Sequence, residues 1–310
     1  MQLPDLFLKR LERIAPPDRL DGVVRSFTES LWTGFRVNPL AGGTGDVVHD
    51  LGLTSVEALS WLPGGYVAGP ADRSRLLDSP AVRDGRLWVQ NPSSMIPPVV
   101  LAPGVGDAVL DLAAAPGSKT LQLAGMMGGD ADIAAVEPVK GRFYRLKRNL
   151  RSHGAAFVKT FNKDGMKVWH YRPDHFDRVL LDAPCSTEGG FRAGDPDTFS
   201  HWSLKKVRTM AGKQRRLLES ALRAVKPGGL VVYSTCSFAP EENEAVVQHA
   251  LDCFGDSVCV EPIALDLPGR QAGLAEWEGQ EFAPEVTESV RILPDARYEA
   301  FFVCRIRRLE

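Results

Sequence analysis

From Asp107 onward, short apolar runs alternate with longer stretches of helical spacing, and no other pattern in the chain restricts its fold as strongly. Residues 108–113 read as a strand, and 116–127 as a loop entering a helix. Further strands are expected at 131–137, 155–160, 178–182 and 230–235, with helices over about 139–152, 204–225 and 241–253. Strands separated by helices of this length return in the same direction, which predicts a parallel, doubly wound α/β sheet. Residues 257–260 and 300–305 supply two closing strands at an antiparallel edge. Residues 1–98 read differently, as a small α+β domain ahead of a second domain over 99–310. Leu6, Leu8, Leu11 and Ile14 mark one short helix there, and 20–32 a second. An extended piece over 34–40, stopped by Pro39, leads into a turn rich in glycine (Gly42, Gly43, Gly45). A helix over 54–61 with Thr54 as its cap, a strand over 85–90 and a helix opening at 91–95 complete this part.

With 310 residues the chain is long enough for a sizeable core and two domains. It lacks the run of about 18 apolar residues that a membrane span requires, and its first residues, MQLPDLFLKRLER, lack the apolar core of a signal peptide. Five cysteines without a CxxC pair point to neither a zinc framework nor a disulfide scaffold, so no metal is expected. A reducing, cytoplasmic setting is the expectation, with a monomer as the default state. The formal charge of −2 carries no overall nucleic-acid signature, so any such binding has to use local patches.

Two strand ends concentrate the chemistry. In DRVLLDAPCSTE (177–188), the apolar run stops at Asp182, with Cys185 three residues on. Ligands of open α/β sheets bind beyond the carboxyl ends of the strands, so carboxylate and thiol form a candidate site. A turn-capping aspartate and a cysteine used as a small apolar residue are the plainer alternative. Tyr233–Ser237 ends the neighbouring strand, which brings Cys236 to the same edge of the sheet as Cys185. After the first strand, Ala113, Ala114, Ala115, Pro116, Gly117, Ser118 and Lys119 form a loop of small residues at a helix amino terminus, suited to close backbone approach by a ligand. It is neither GxGxxG nor a phosphate-binding P-loop. Glu137, twenty positions after Gly117, stands where an acid meets ribose hydroxyls in nucleotide-binding sheets. Asp164 is either an acceptor for an adenine amino group or a turn aspartate. NAD, another nucleotide and S-adenosylmethionine all fit this spacing. Two thiols beside Asp182 suit attack on an electron-poor ring. A thiolate adds to carbon 6 of cytosine, carbon 5 becomes nucleophilic, and Asp182 is placed to hydrogen-bond or protonate the ring nitrogen.

DLAAAPGSKT, DAPCSTEG and KPGGLVVYSTCS followed by Glu241-Glu242-Asn243-Glu244 resemble the motifs of the Sun-type (NSUN) RNA cytosine carbon-5 methyltransferases. RVNPL and QNPSSMIPP resemble that family's upstream signatures, and Asp195-Pro196-Asp197 with Trp202 is most similar to the bacterial RsmF-like branch. The likeness covers about residues 25–305, and the chain stops short of the carboxy-terminal extension usual in that branch. The resemblance implies a Rossmann-like class I methyltransferase sheet, with 1–98 as an RNA-binding domain and 99–310 as the catalytic domain. It implies S-adenosylmethionine held by residues 113–119, Glu137 (ribose), Asp164 (adenine) and Asp182. It makes Cys236 the nucleophile and Cys185 the residue that assists release, and has Lys119 contact the cytosine or orient Asp182. The implied partner is RNA, ribosomal before transfer RNA.

Lys140, Arg142, Arg145, Lys147, Arg148 and Arg151, a second group over 205–216, and Arg36 and Arg73 are available to track phosphates. For most of these, a solvated helix face is the plainer account. A DNA cytosine methyltransferase attacks with the Pro-Cys thiol and has no use for Cys236. An assembly factor without catalysis needs neither thiol, and a nicotinamide oxidoreductase shares only the sheet and Glu137.

Overall fold

The computed structural model describes residues 3–42, 46–129 and 131–310. α1 (Asp5–Ile14) and α2 (Pro17–Ser26) open the chain, and Pro17 occupies the first turn of α2, where its missing N–H is no loss. α2 stops well before the expected end at residue 32, because Phe27 turns inward to become almost fully buried beside Phe7. Phe7 lies between Phe27 at 5.7 Å, Phe191 at 4.9 Å and Phe238 at 5.9 Å between ring centroids. The first helix therefore belongs to the core of the larger sheet.

β1 (Thr33–Val37), β2 (Val56–Ala58), β3 (Gly65–Ala68) and β4 (Leu87–Val89) form an antiparallel sheet in the order β2-β3-β1-β4. The helix expected over 54–61 is therefore a strand. Asp72 accepts from Thr54 N at 2.9 Å and Ser55 N at 2.7 Å, which holds the next residues against β3, and pairing across the sheet outweighs local helix spacing. Gly43 and Gly45 of the expected turn lie outside the described residues. α3 (Arg73–Leu77) and α4 (Pro80–Arg83) come next, and α5 (Pro92–Leu101) starts at Asn91, whose side chain accepts from Ser93 N at 2.9 Å.

The large sheet is built from β5 (Ala108–Asp111), α6 (Ser118–Met127), β6 (Asp132–Val136), α7 (Lys140–Ser152), β7 (Lys159–Phe161), α8 (Val168–Tyr171), β8 (Phe176–Asp182), α9 (Leu204–Ala224) and β9 (Val225–Thr235). After α10 (Glu244–Phe254) come β10 (Val258–Glu261), β11 (Arg270–Ala272), the small pair β12 (Glu276–Trp277) and β13 (Gln280–Glu281), β14 (Val290–Ile292) and β15 (Phe301–Arg308). The order is β11-β14-β15-β9-β8-β5-β6-β7, with β10 also on β15. Strands β5 to β9 pair parallel, and β15 lies antiparallel to β9, as the alternation predicts, with β14, β11 and β10 on its far side. The strand expected at 155–160 comes later: residues 155–158 are spent turning off α7, with Val158 N donating to Ala155 O, before Lys159 pairs with Ala134. Val179, Leu180 and Leu181 are fully buried, as an internal strand covered on both faces requires. The direction of strand addition reverses between β5 and β8, and ligands bind at such switch points.

Truncating Phe7 to alanine should lower the unfolding free energy by about 3–5 kcal/mol, the usual range for emptying an aromatic core position. Urea denaturation of the whole chain measures it, and a loss under about 1 kcal/mol would mean that α1 only rests on the surface.

Candidate active site

The loops after β5 and β8 meet at the switch point. In the first, Gly117 takes φ +109°, and a β-carbon there would sit 3.1 Å from Leu146 Cδ1. Only glycine fits this turn. α6 begins at the next residue, so its unpaired N–H groups open onto this loop. Ala113, Ala114, Ala115, Pro116, Ser118, Lys119 and Asp182 surround a cavity of about 170 Å³ together with Ser94 and Asp111. Most of the residues expected to hold a cofactor are thus brought together.

Glu137 and Asp164 are not part of that lining. Glu137 is 1% exposed, accepts from Val139 N at 2.9 Å, and lies behind Arg142. Arg142 Nη2 donates to Ala115 O at 2.7 Å while its Nε stands 3.6 Å from the Glu137 carboxylate, so this side chain spans the gap between loop and acid. Asp164 is exposed and accepts from Met166 N at 3.0 Å, capping a short turn.

Lys119 Nζ donates to Asp182 Oδ2 at 2.7 Å and to Ser94 Oγ at 2.6 Å. Ser234 Oγ, from the adjacent strand, donates to Asp182 Oδ1 at 2.9 Å. Both carboxylate oxygens are therefore held, and the lysine orients the aspartate directly. Beyond it, Cys185 Sγ and Cys236 Sγ are 3.3 Å apart. The hydrogen bond to Cys236 and then burial push the Cys185 thiol well above its ordinary range.

Three buried carboxyls stand around the site, and the sequence assigns no role to any of them. Asp111 is 1% exposed and accepts from Thr120 Oγ1 at 2.6 Å, and burial raises it to about 7. It ends an apolar run just as Asp182 does, which is the one clue the sequence holds. Glu188 is raised by burial, and Glu242, for the same reason, to about 7. Arg36, expected among the phosphate contacts, is instead 4% exposed. It donates to Gln90 Oε1 at 3.3 Å and Ser118 O at 3.0 Å, tying β1 to the start of α6, and burial lowers its guanidinium to about 9. Arg73 donates to Thr33 Oγ1 at 3.0 Å, whereas Lys140, Arg145, Lys147, Arg148 and Arg151 of α7 are exposed.

The parallel sheet with its antiparallel edge, the small-residue loop and the carboxylate at the switch point define a Rossmann-like methyltransferase. A methyltransferase homolog protein from Pyrococcus horikoshii superposes with a TM-score of 0.80 at 32% identity, covering 99% of this chain and 100% of that one. NSun6 from Pyrococcus horikoshii with SFG shares the fold, with a TM-score of 0.82 at 19% identity over 99% of this chain and 98% of its own. Residues 98–307 match the model of the 16S rRNA methyltransferase RsmB/F family, and the chain belongs to that family. The ribosomal RNA small subunit methyltransferase F of Serratia proteamaculans is 35% identical over 313 residues, 99% of this chain and 63% of that protein. Its counterpart in Vibrio vulnificus is 34% identical over 318 residues, 99% of this chain and 64% of that protein. The chain thus spans just under two thirds of the length of these relatives.

Asp111 gives the site a pH signature. Its carboxyl is raised above the unfolded value, so its contribution to stability is complete below about pH 4 and is lost as the pH rises through about 7. Asp111→Asn keeps an acceptor for Thr120 and should shrink the fall in unfolding free energy between pH 5 and pH 8 by on the order of 2–4 kcal/mol. Urea titrations at the two pH values read the difference, and equal slopes in variant and parent would discard this assignment.

Proposed function

We propose that the chain is an S-adenosylmethionine-dependent RNA methyltransferase that makes 5-methylcytosine, with ribosomal RNA of the small subunit as its substrate. The observation that carries this reading is the contact of two thiols, 3.3 Å apart, at neighbouring strand ends. Core packing accounts for one buried cysteine. It does not account for a pair of them beside an ion-paired strand-end carboxylate and a cavity lined by small residues and a helix amino terminus. The names of the relatives support the RNA class, and the free state of all five cysteines suits a reducing cytoplasm.

The donor set fits the proposed cofactor. The alanines leave room, the α6 amino terminus offers N–H donors, and Lys119 with Asp182 presents a cation and an anion to a zwitterionic amino-acid end. Glu137 and Asp164 are assigned to ribose and adenine, with Arg142 standing between Glu137 and Ala115 O. Bound there, S-adenosylmethionine would supply an electrophilic methyl group. Cys236 Sγ adds as a thiolate to carbon 6 of an unstacked cytosine, its proton passing through solvent to Asp182, which is held by Lys119 and Ser234 and donates that proton in a hydrogen bond to the ring nitrogen that gathers charge. Once Cys236 is bonded to carbon, the sulfur contact that chiefly keeps Cys185 protonated is gone. Cys185 then gives its proton to solvent more readily and, as the thiolate, removes the carbon-5 proton, and Cys236 leaves as the 5,6 double bond reforms.

Cys236→Ala should lower methyl transfer by more than about a thousandfold with unchanged S-adenosylmethionine affinity, as loss of a nucleophile does. Tritiated-methyl incorporation and nucleoside mass spectrometry provide the readout, and undiminished 5-methylcytosine would remove the mechanism. Cys185→Ala should accumulate an RNA–protein adduct that survives a denaturing, reducing gel. An adduct formed by Cys236→Ala instead would reverse the two roles.

A further inference from the structure

The mechanism leaves unused the buried carboxyl that touches both cysteine loops at once. Glu242 lies just beyond β9, and its side chain is fully shielded. Its Oε2 accepts from Ser186 N, the residue after Cys185, at 2.9 Å, and from Gln214 Nε2 at 2.8 Å. The same Gln214 nitrogen donates to the carbonyl of Pro184, the residue before Cys185, at 2.9 Å. On the other side, Glu242 Oε1 accepts from the hydroxyl of Ser237, the residue after Cys236, at 3.1 Å. One carboxyl group is thus linked to both chain neighbours of the first thiol and to one neighbour of the second.

We propose that Glu242 is a positioning residue, which acts with Gln214 to clamp the Cys185 loop against the Cys236 loop and so keeps the two sulfurs in contact. Its own placement is fixed by its neighbours. Tyr233 Oη donates to Glu242 O at 2.5 Å, and the adjacent Asn243 accepts from Thr235 Oγ1 at 2.5 Å and donates to Ser237 O at 2.8 Å. Glu188 holds the far side of the second loop, accepting from Phe238 N and Ala239 N, each at 2.9 Å. Neither loop belongs to the sheet ladder at these positions, so hydrogen bonds to the two carboxyls replace the strand pairing found below them. Burial raises Glu242 to about 7, so near neutrality it acts through its hydrogen bonds in either protonation state rather than as a fixed charge. Glutamine at this position can accept from Ser186 N and Gln214, and donate to the Ser237 hydroxyl.

The catalytic meaning of the clamp rests on the cysteine chemistry proposed above, whereas the sulfur contact that it maintains can be measured without RNA. Diamide oxidises neighbouring thiols to a disulfide, its N=N bond taking up the two electrons and two protons that the sulfurs release. Peptide mapping after alkylation tracks the 185–236 bridge. The wild-type chain should bridge fastest, Glu242→Ala about tenfold more slowly, and Glu242→Gln within about threefold of wild type. In methylation assays kcat should fall in the same order, with the KM for S-adenosylmethionine unchanged. A folded Glu242→Ala protein that bridges at the wild-type rate overturns the proposal. Should that variant fail to fold, Gln214→Ala decides, because it removes only the arm to Pro184: bridging slowed about threefold supports the clamp, and an unchanged rate overturns it. Slow bridging in the variants of a chain that methylates no RNA would leave the clamp standing and remove the function proposed above.

Discussion

The parallel pairing of β8 with β9, in the register that sets Asp182 opposite Ser234, is the constraint on which the rest of the site depends. A slip of one residue would turn every side chain of the strand to the opposite face of the sheet. In the observed register Ser234 Oγ reaches Asp182 at 2.9 Å, and Ala183 N donates to Ser234 O at 2.9 Å, which carries the pairing one residue past the named strand. Both segments then leave the sheet from the same height, so Cys185 and Cys236 arrive together. The apolar run Val179–Leu181, buried on both faces, keeps that register from shifting, since any slip would expose or empty a fully buried position.

Above the register the physics changes from apolar to polar. Glu188 alone accepts from Trp202 Nε1, Phe238 N and Ala239 N. Burying carboxyls is costly, and here the cost is offset because the loops they satisfy have backbone donors with no strand to pair with. The loops at the site are therefore tied to buried carboxyls where a loop would ordinarily leave its donors to solvent. Lys119 supplies the counterpart on the cofactor side by fixing Asp182 from α6.

Where sequence reading and structure part, a tertiary contact competes with a local pattern. The stretch 54–61 has apolar spacing compatible with a helix, but Asp72, far along the chain, captures Thr54 and Ser55 and directs the next three residues into a strand. Arg36 has the composition of a phosphate contact, yet the junction between the small sheet and α6 buries it against Gln90 and Ser118.

The sequence by itself determined the doubly wound sheet, the loop of small residues around Gly117, and the two strand ends that carry Asp182, Cys185 and Cys236. Those features live in hydrophobic periodicity and in contiguous motifs, and they survive without knowledge of what packs nearby. Only the tertiary structure decided that the thiols touch, that Lys119 holds Asp182, and that Glu242 joins Ser186 to Ser237. The donor and acceptor of the Ser186–Glu242 bond are 56 residues apart, and those of the Lys119–Asp182 bond 63. Such pairings depend on where each loop comes to rest after leaving its strand, and that is set by the packing of the whole sheet rather than by any segment read alone.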